Sequence, residues 1–584
     1  MRRRIDVRYI GYDGARTSDA GGILRAAFET ARIHAGPTTI VLPPGDYHVW
    51  PETTATRELY VSNTVGAEQD HRVKSIGLLL EGQSDLHLEA RGARLLVHGR
   101  QTAIAIVDSR NVTVRGLEID WAVPTVIDVT VEHAGVEGGR SWRVLSVPAC
   151  TPFRVVGTSI EWHSEPSPFT GELYWTGRDG LAYSQVHDPT SGVTRRDRCP
   201  LFDDVESIER IDERRVRVVS RGSQLPTDEG LVYQLREIVR DHPGMLVLES
   251  EDVVLEDLQV RFLHGFGLVA QSGSSLTLDR VAFRTPSGLG RVSAGFADFV
   301  QCSSMSGDIL IRDCVFDGPH DDPINIHGTY LAVVEVPRPD ELVLEYRHPQ
   351  TAGFAQFSPG DTVELLSRDT LQPVFTSAVI AVEGPSGRDH DSSLLTMRVR
   401  LERAAPVDVE SQARRGELAA ENTTRTPQVT IIGCRFRSSP TRAILVTTRR
   451  PILISGCEFD AIAMPCIQIA ADARDWWESG AVTEASILGN TFHAVSAGVL
   501  QVAPGSVPGG PPVHGSVTFA GNAVELAAPL LAELRGLARF TASGNTFRRM
   551  GDYAAADVVV LADSTVRIDW STSITQPRPT IRPV

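Results

Sequence analysis

From about residue 75 onward the chain repeats one short pattern: an alternating apolar–polar run, a small or polar residue, then a second alternating run. Val112–Ile119 (VTVRGLEI), Val253–Val260 (VVLEDLQV) and Leu276–Phe283 (LTLDRVAF) open the series. Ile309–Phe316, Val429–Phe436, Ile452–Phe459, Ser486–Phe492, Val517–Val524 and Phe540–Phe547 continue it. Alternation of period two puts successive side chains on opposite faces, so each half predicts a half-buried strand. Aligned on their centres, the repeats give the column Leu117, Leu258, Val281, Cys314, Cys434, Cys457, Asn490, Asn522, Asn545. Neighbours in it are 23 residues apart at 258 to 281, 434 to 457 and 522 to 545, and 32 or 33 apart at 281 to 314, 457 to 490 and 490 to 522. A period in the twenties, lengthened by loop residues, predicts an all-β solenoid, a parallel β-helix. Stacked at about 4.8 Å per coil, the three cysteines form an interior ladder of small apolar groups. The three asparagines form an amide ladder at an inward turn, each bonded to the coils above and below.

Ahead of the repeats, Val7–Gly14 reads as a strand and turn. Ser18-Asp19-Ala20 caps a helix to about Ile33, with Ile23, Leu24, Ala27, Phe28 and Ala31 at helical spacing. A helix followed by TIVLPPGDY (39–47) resembles the N-terminal cap of right-handed parallel β-helix proteins, which covers the open end of the solenoid core. Two stretches interrupt the repeat, with alternating strands at Thr125–Val131, Trp142–Val147, Arg214–Val219 and Leu231–Val239, and again at Tyr330–Val336, Glu341–Tyr346, Asp361–Leu366, Pro373–Val382 and Leu394–Leu401. Both read as antiparallel β insertions that leave and rejoin at coil boundaries and wall the groove of the solenoid. The chain thus divides into a cap and first coils (1–121), a first inserted β domain (122–245), central coils (246–328), a second inserted β domain (329–425), and C-terminal coils with an extended tail from Gln576 (426–584).

Bulk properties agree with a solenoid. The 584 residues exceed what one compact core supports, whereas a solenoid core grows in one dimension. The 50 glycines and 35 prolines suit a turn-rich β protein, and a mean hydropathy of −0.08 is ordinary for a globular chain. A net charge of −16 repels polyanions, which disfavours nucleic acid and polyuronates and leaves a neutral ligand. Seven cysteines with no CxxC indicate neither a full disulfide framework nor a zinc ribbon. No apolar run approaches the ~18 residues of a bilayer span, so no membrane partner is expected. The basic start, Met1–Arg4, has no apolar segment behind it and predicts no secretion signal, which leaves a secreted or a cytoplasmic location open.

Chemistry concentrates in Gly318–Gly328 (GPHDDPINIHG), which holds two adjacent carboxylates, an amide and two imidazoles. Asp298 precedes Asp321 and Asp322 by 23 and 24 residues, one coil of this solenoid. If Ala297, Phe299, Ile324 and Ile326 point inward, then Asp298, Asn325 and His327 point out and are exposed. Three clustered carboxylates repel one another and raise at least one pKa, the arrangement that glycoside hydrolysis needs. A solvated Asp-Asp-Pro turn and a calcium site are the competing readings of the same residues.

The segments Ala297–Cys302 and His320–Tyr330 resemble glycoside hydrolase family 110, the α-1,3-galactosidases acting on blood-group-B-type glycans. Arg240–Gly244, His348–Phe354, Glu421–Thr424 and Trp476–Gly480 extend the resemblance over most of the chain. It implies a β-helix with two inserted β domains and an exo-acting, metal-independent hydrolase that inverts the anomeric centre, with no cofactor. Asp321 is then the general acid, and Asp298 with Asp322 holds and activates the water, although the sequence does not settle which aspartate does which. Trp477 and Glu478 help form the sugar pocket by the same resemblance. Asn325 and His327 are candidates to bind the sugar or orient the carboxylates, and His348 and Arg442 are further substrate-binding candidates. The implied partner is an oligosaccharide or glycoconjugate with a terminal α-galactose. The inserts offer surfaces for a homodimer, though no residue in them demands one.

Other functions stay in view. A polygalacturonase-type enzyme also places aspartates one coil apart, but its Arg-Ile-Lys is missing here. A non-catalytic glycan-binding solenoid predicts exposed aromatics on several coils, and aromatics are only 6%. A lyase needs a basic catalytic residue, and the sequence around the aspartates shows neither Arg nor Lys.

Overall fold

The computed structural model describes residues 3–12, 19–34, 36–66, 71–385, 393–550, 558–571 and 579–584. The turn at 13–14, Ser18 and residues 576–578 of the tail lie outside the described residues. The chain forms a right-handed parallel β-helix whose coils feed three long sheets, of 13, 11 and 14 strands among the described residues. Register follows the repeat. Gln259 pairs with Ala282, Arg435 with Glu458 and Ala523 with Thr546 at a 23-residue offset, and Ala282 with Val315 across a longer coil.

The inward positions make one continuous apolar core, because stacking brings like side chains over like. Phe283, Phe316, Phe436, Phe459 and Phe492 stack in sequence with ring centroids 5.3, 5.0, 4.9 and 4.7 Å apart. Cys314, Cys434 and Cys457 are buried in their column, with Sγ directed at backbone carbonyls. Beyond them, Asn490 Nδ2 donates to Asn522 Oδ1 and Asn522 Nδ2 to Asn545 Oδ1, both at 3.0 Å. The same oxygens accept the backbone N–H of Asn490 and Asn522, so the amide ladder satisfies donors that a turn would otherwise bury unpaired.

The cap differs from expectation in one respect. The edge strand is Arg3–Asp6, and Val7–Ile10 is a 3-10 turn, because Asp6 accepts the Arg8 amide and guanidinium and folds the chain back. The helix runs Gly21–His34, with Asp19 accepting the Gly21 N–H at 2.9 Å. Its Leu24, Ala27, Phe28 and Ala31 cover the open core.

The two insertions are antiparallel and carry their own cores. The first leaves after Glu118–Trp121, builds a seven-stranded and a three-stranded sheet, and returns at Met245–Leu248 in the 14-stranded sheet. The second leaves directly from Ile324–Thr329 of that sheet and closes a six-stranded barrel between Leu331 and Asn422. Its helix Val407–Arg414 has too few apolar residues for the alternation to reveal. Buried Glu421 pairs with Arg449 on the solenoid at 2.6 Å and fastens the barrel there. The first insertion therefore stands where strands of the 14-stranded sheet begin, and the second where one of them ends.

Candidate active site

Asp298 and Asp322 each sit two residues ahead of a strand of that sheet, Val300–Ser303 and Ile324–Thr329. Val300 pairs with Ile324, and the Phe299 N–H donates to the Asp322 carbonyl at 3.1 Å. Asp298 thus lies one coil from Asp322, with Asp321 beside it. Ala297, Phe299, Ile324 and Ile326 point into the core, as their parity required. Exposure did not follow. Asp298 is only 4% exposed, and Asn325 and His327 are buried as well, because a strand residue facing away from the solenoid core here faces the insertions rather than water.

Arg442 Nη2 meets Asp322 Oδ2 at 2.9 Å, while Asp322 Oδ1 is buried without a hydrogen-bond partner among the described residues. Burial, opposed by Arg442 and reinforced by the Asp321 charge, pushes the Asp322 carboxyl up to about 7. Burial, then the charges of Asp321 and Asp322, push Asp298 well above the usual carboxylate range. Asp321 receives Arg196 at Oδ1 (2.9 Å) and Arg240 at Oδ2 (3.4 Å). Arg196 comes from the first insertion, on Thr194–Arg196. Arg240 lies on the returning chain, its guanidinium 4.6 Å from the Phe266 ring centroid.

The short strand Glu478–Ser479 pairs with Gly328–Thr329 and brings Glu478 Oε1 to 3.4 Å from Asn325 Nδ2 and 3.6 Å from His327 Nε2. His327 Nδ1 faces the Gly328 carbonyl at 2.6 Å and so carries the proton there, which leaves Nε2 to accept from Gln301 at 3.1 Å. His348 reaches in from the barrel, and burial, reinforced by the neighbouring His327 and Arg240, lowers it to about 4, so it is neutral near pH 7.

All nine sequence-derived residues line one pocket: Asp298, Asp321, Asp322, Asn325, His327, His348, Arg442, Trp477 and Glu478. Trp477 is nonetheless 4% exposed, with Nε1 donating to the Arg474 carbonyl and its ring under the Arg368 guanidinium. The exposed ring at that wall is Trp476. His320 stands behind the pocket, buried and bonded to Ser293 Oγ. Arg196 and Arg240 overturn the expectation that no Arg or Lys stands by the aspartates. They arrive from distant segments and left no mark on the local pattern, although Arg240 lies in a segment that carried the resemblance. Each of the three guanidiniums is held by a carboxylate, which suits charge control rather than proton abstraction.

Asp241, His242 and His264 come within metal-ligand range of one another. The set does not fit a cation. The Ser75 N–H donates to His242 Nε2, so the proton must sit on Nδ1, the atom that faces Asp241 at 3.3 Å. The cluster is instead hydrogen-bonded within itself, His264 Nε2 donating to Asp241 at 2.7 Å.

No family model matches the chain. An α-1,3-galactosidase A of Streptomyces avermitilis is 44% identical over 550 residues, spanning 94% of this chain and 87% of its own. One from Peterkaempfera griseoplana is 42% identical over 555 residues, 93% of this chain and 76% of its own. One from Bacteroides thetaiotaomicron is 32% identical over 508 residues, 86% of this chain and 84% of its own. Identity of this extent over nearly the whole chain places the protein in the α-1,3-galactosidase family, glycoside hydrolase family 110.

Proposed function

We propose that the protein is an inverting exo-α-1,3-galactosidase that releases terminal galactose from B-type glycans, Galα1-3(Fucα1-2)Gal, or from linear Galα1-3Gal. The observation that carries this reading is the stacking of two buried carboxyls that resist ionisation, Asp298 and Asp322, beside the ion-paired Asp321. Inverting hydrolysis needs one carboxyl holding a proton and one carboxylate taking one. As the C1–O bond breaks, water oxygen bonds to C1 from the opposite face. The leaving oxygen takes the acid's proton, the base takes one from water, and one water is consumed. A pocket walled by residues of both insertions, Arg196 from the first and His348 from the second, favours a chain end.

The family resemblance gives the proton to Asp321 and the water to Asp298 and Asp322. A second division of labour is favoured by the ion pairs. Both oxygens of Asp321 are held by guanidiniums in the free protein, while the buried pair resists ionisation, so the pair donates and Asp321 accepts. Under the first division, substrate must displace Arg196, the more exposed of the two guanidiniums.

Incubation with Galα1-3(Fucα1-2)Gal and with Galα1-3Gal, followed by NMR, tests the reading. β-Galactose should appear first. No release from either substrate overturns the function, and α-galactose as first product overturns inversion.

A further inference from the structure

We propose that Trp476 forms an acceptor-side subsite, carrying the apolar face of the sugar next to the galactose that is removed. The inference rests on the galactosidase reading above and extends it to the second ring of the substrate.

Of the eight tryptophans, Trp476 is the exposed one, with 66% of its surface open. Its neighbour Trp477 fills the packing role, buried with Tyr330, Ala471 and Ala473. Exposing a ring of this size forgoes a large apolar burial, and nothing in the packing of the loop requires it. Nor is the ring left loose. The Asp472 carboxylate accepts the backbone N–H groups of Arg474, Asp475 and Trp476, and Arg474 pairs with Asp369 on the barrel. The indole stacks on His348 with centroids 5.8 Å apart and planes at 28°. That imidazole is held neutral near pH 7, so the contact is between two uncharged rings.

A large aromatic face, fixed from behind and open in front, stands on the wall of the pocket that contains Asp298, Asp321 and Asp322. The enclosed part of that pocket measures about 200 Å³, below the ~300–1,000 Å³ that holds a whole small-molecule ligand. A linked second ring therefore extends beyond the enclosed part, along the open face of Trp476 on the same wall. Pyranoses present a face of C–H bonds, which an indole can cover while the hydroxyls stay in polar surroundings. The ligand class is therefore a pyranose linked at the reducing side of the α-galactosyl unit.

The test compares Galα1-3Gal with α-galactosyl fluoride, whose leaving group is too small to reach a second subsite. Trp476→Ala should lower the disaccharide-to-fluoride ratio of kcat/KM about tenfold, and Trp476→Phe should restore most of it. An unchanged ratio overturns the proposal, whether both activities fall together or neither falls. If wild-type protein cleaves neither substrate, the galactosidase reading fails and calorimetry decides the subsite. Tighter binding of Galα1-3Gal than of galactose, with that margin lost in Trp476→Ala, then supports it. Equal binding of the two sugars overturns it.

Discussion

The Asp322 carbonyl oxygen receives the Phe299 amide N–H at 3.1 Å, which locks Asp298 one coil from Asp322. Strand spacing in a parallel sheet is about 4.8 Å, so the two carboxyls are neighbours by construction of the fold. The insertions then take both out of water. Placing two like charges close together in a buried site is unfavourable, and the site answers by holding protons and recruiting Arg442.

The roles within the triad separate by leaving group. Asp298→Asn, Asp321→Asn and Asp322→Asn should each lower kcat on Galα1-3Gal by roughly 10²–10⁴. α-Galactosyl fluoride needs no proton on departure, so it should rescue the variant that lost the acid and leave the base variant impaired. A variant that turns over like wild type removes its aspartate from the triad.

Arg442 should set the pH range of activity. Its charge opposes the rise of Asp322, which stands at about 7. Arg442→Gln should move the Asp322 limb of the kcat/KM profile to higher pH. The sign is the same for either role of Asp322, because loss of the cation raises its pKa whether the protonated or the ionised form is the active one. A limb that stays in place or moves down would show that Arg442 does not control Asp322.

The triad also weakens the fold at high pH. The folded pKa of Asp298 lies above its unfolded value, so its contribution to stability is full below about pH 4 and is lost as pH rises through the folded pKa. Asparagine cannot ionise. Asp298→Asn should therefore stabilise the protein by about 1–2 kcal/mol at pH 8, and by less at pH 5. Chemical denaturation at both pH values measures the difference, and an equal gain at both would refute the buried charge as its source.

In the amide ladder, Asn522 Oδ1 accepts two N–H groups of Asn490, and its Nδ2 donates to the Ile487 carbonyl. Asn522→Ala leaves those buried groups unpaired and should destabilise the C-terminal coils by about 2–4 kcal/mol. Hydrogen exchange at Asn490 should speed up with it, while the coils around Asp298 keep their protection.

The sequence carried much of this. The 23-residue spacing of Leu258 and Val281 gave the coil, the Cys314–Asn545 column gave the ladders, and parity at Ala297 and Phe299 gave the outward direction of Asp298. Each follows from backbone geometry that repeats locally: two residues per strand period and one strand per sheet in every coil. The strand at Val7 failed because a single side chain, Asp6, competes with the ladder for the backbone.

What covers Asp298, and which cation meets which carboxylate, was decided only by tertiary structure. Arg196 contacts Asp321 across 125 positions of sequence, and Arg442 contacts Asp322 across 120. The first contact depends on how an insertion docks against the solenoid, which no period in the chain encodes; the second joins adjacent coils, Ile324 pairing with Ile444, whose separation in sequence the barrel insertion stretches. Burial, and with it the protonation of Asp298 and Asp322, is a property of what lies above a residue. The repeat fixes only what lies beneath and beside it.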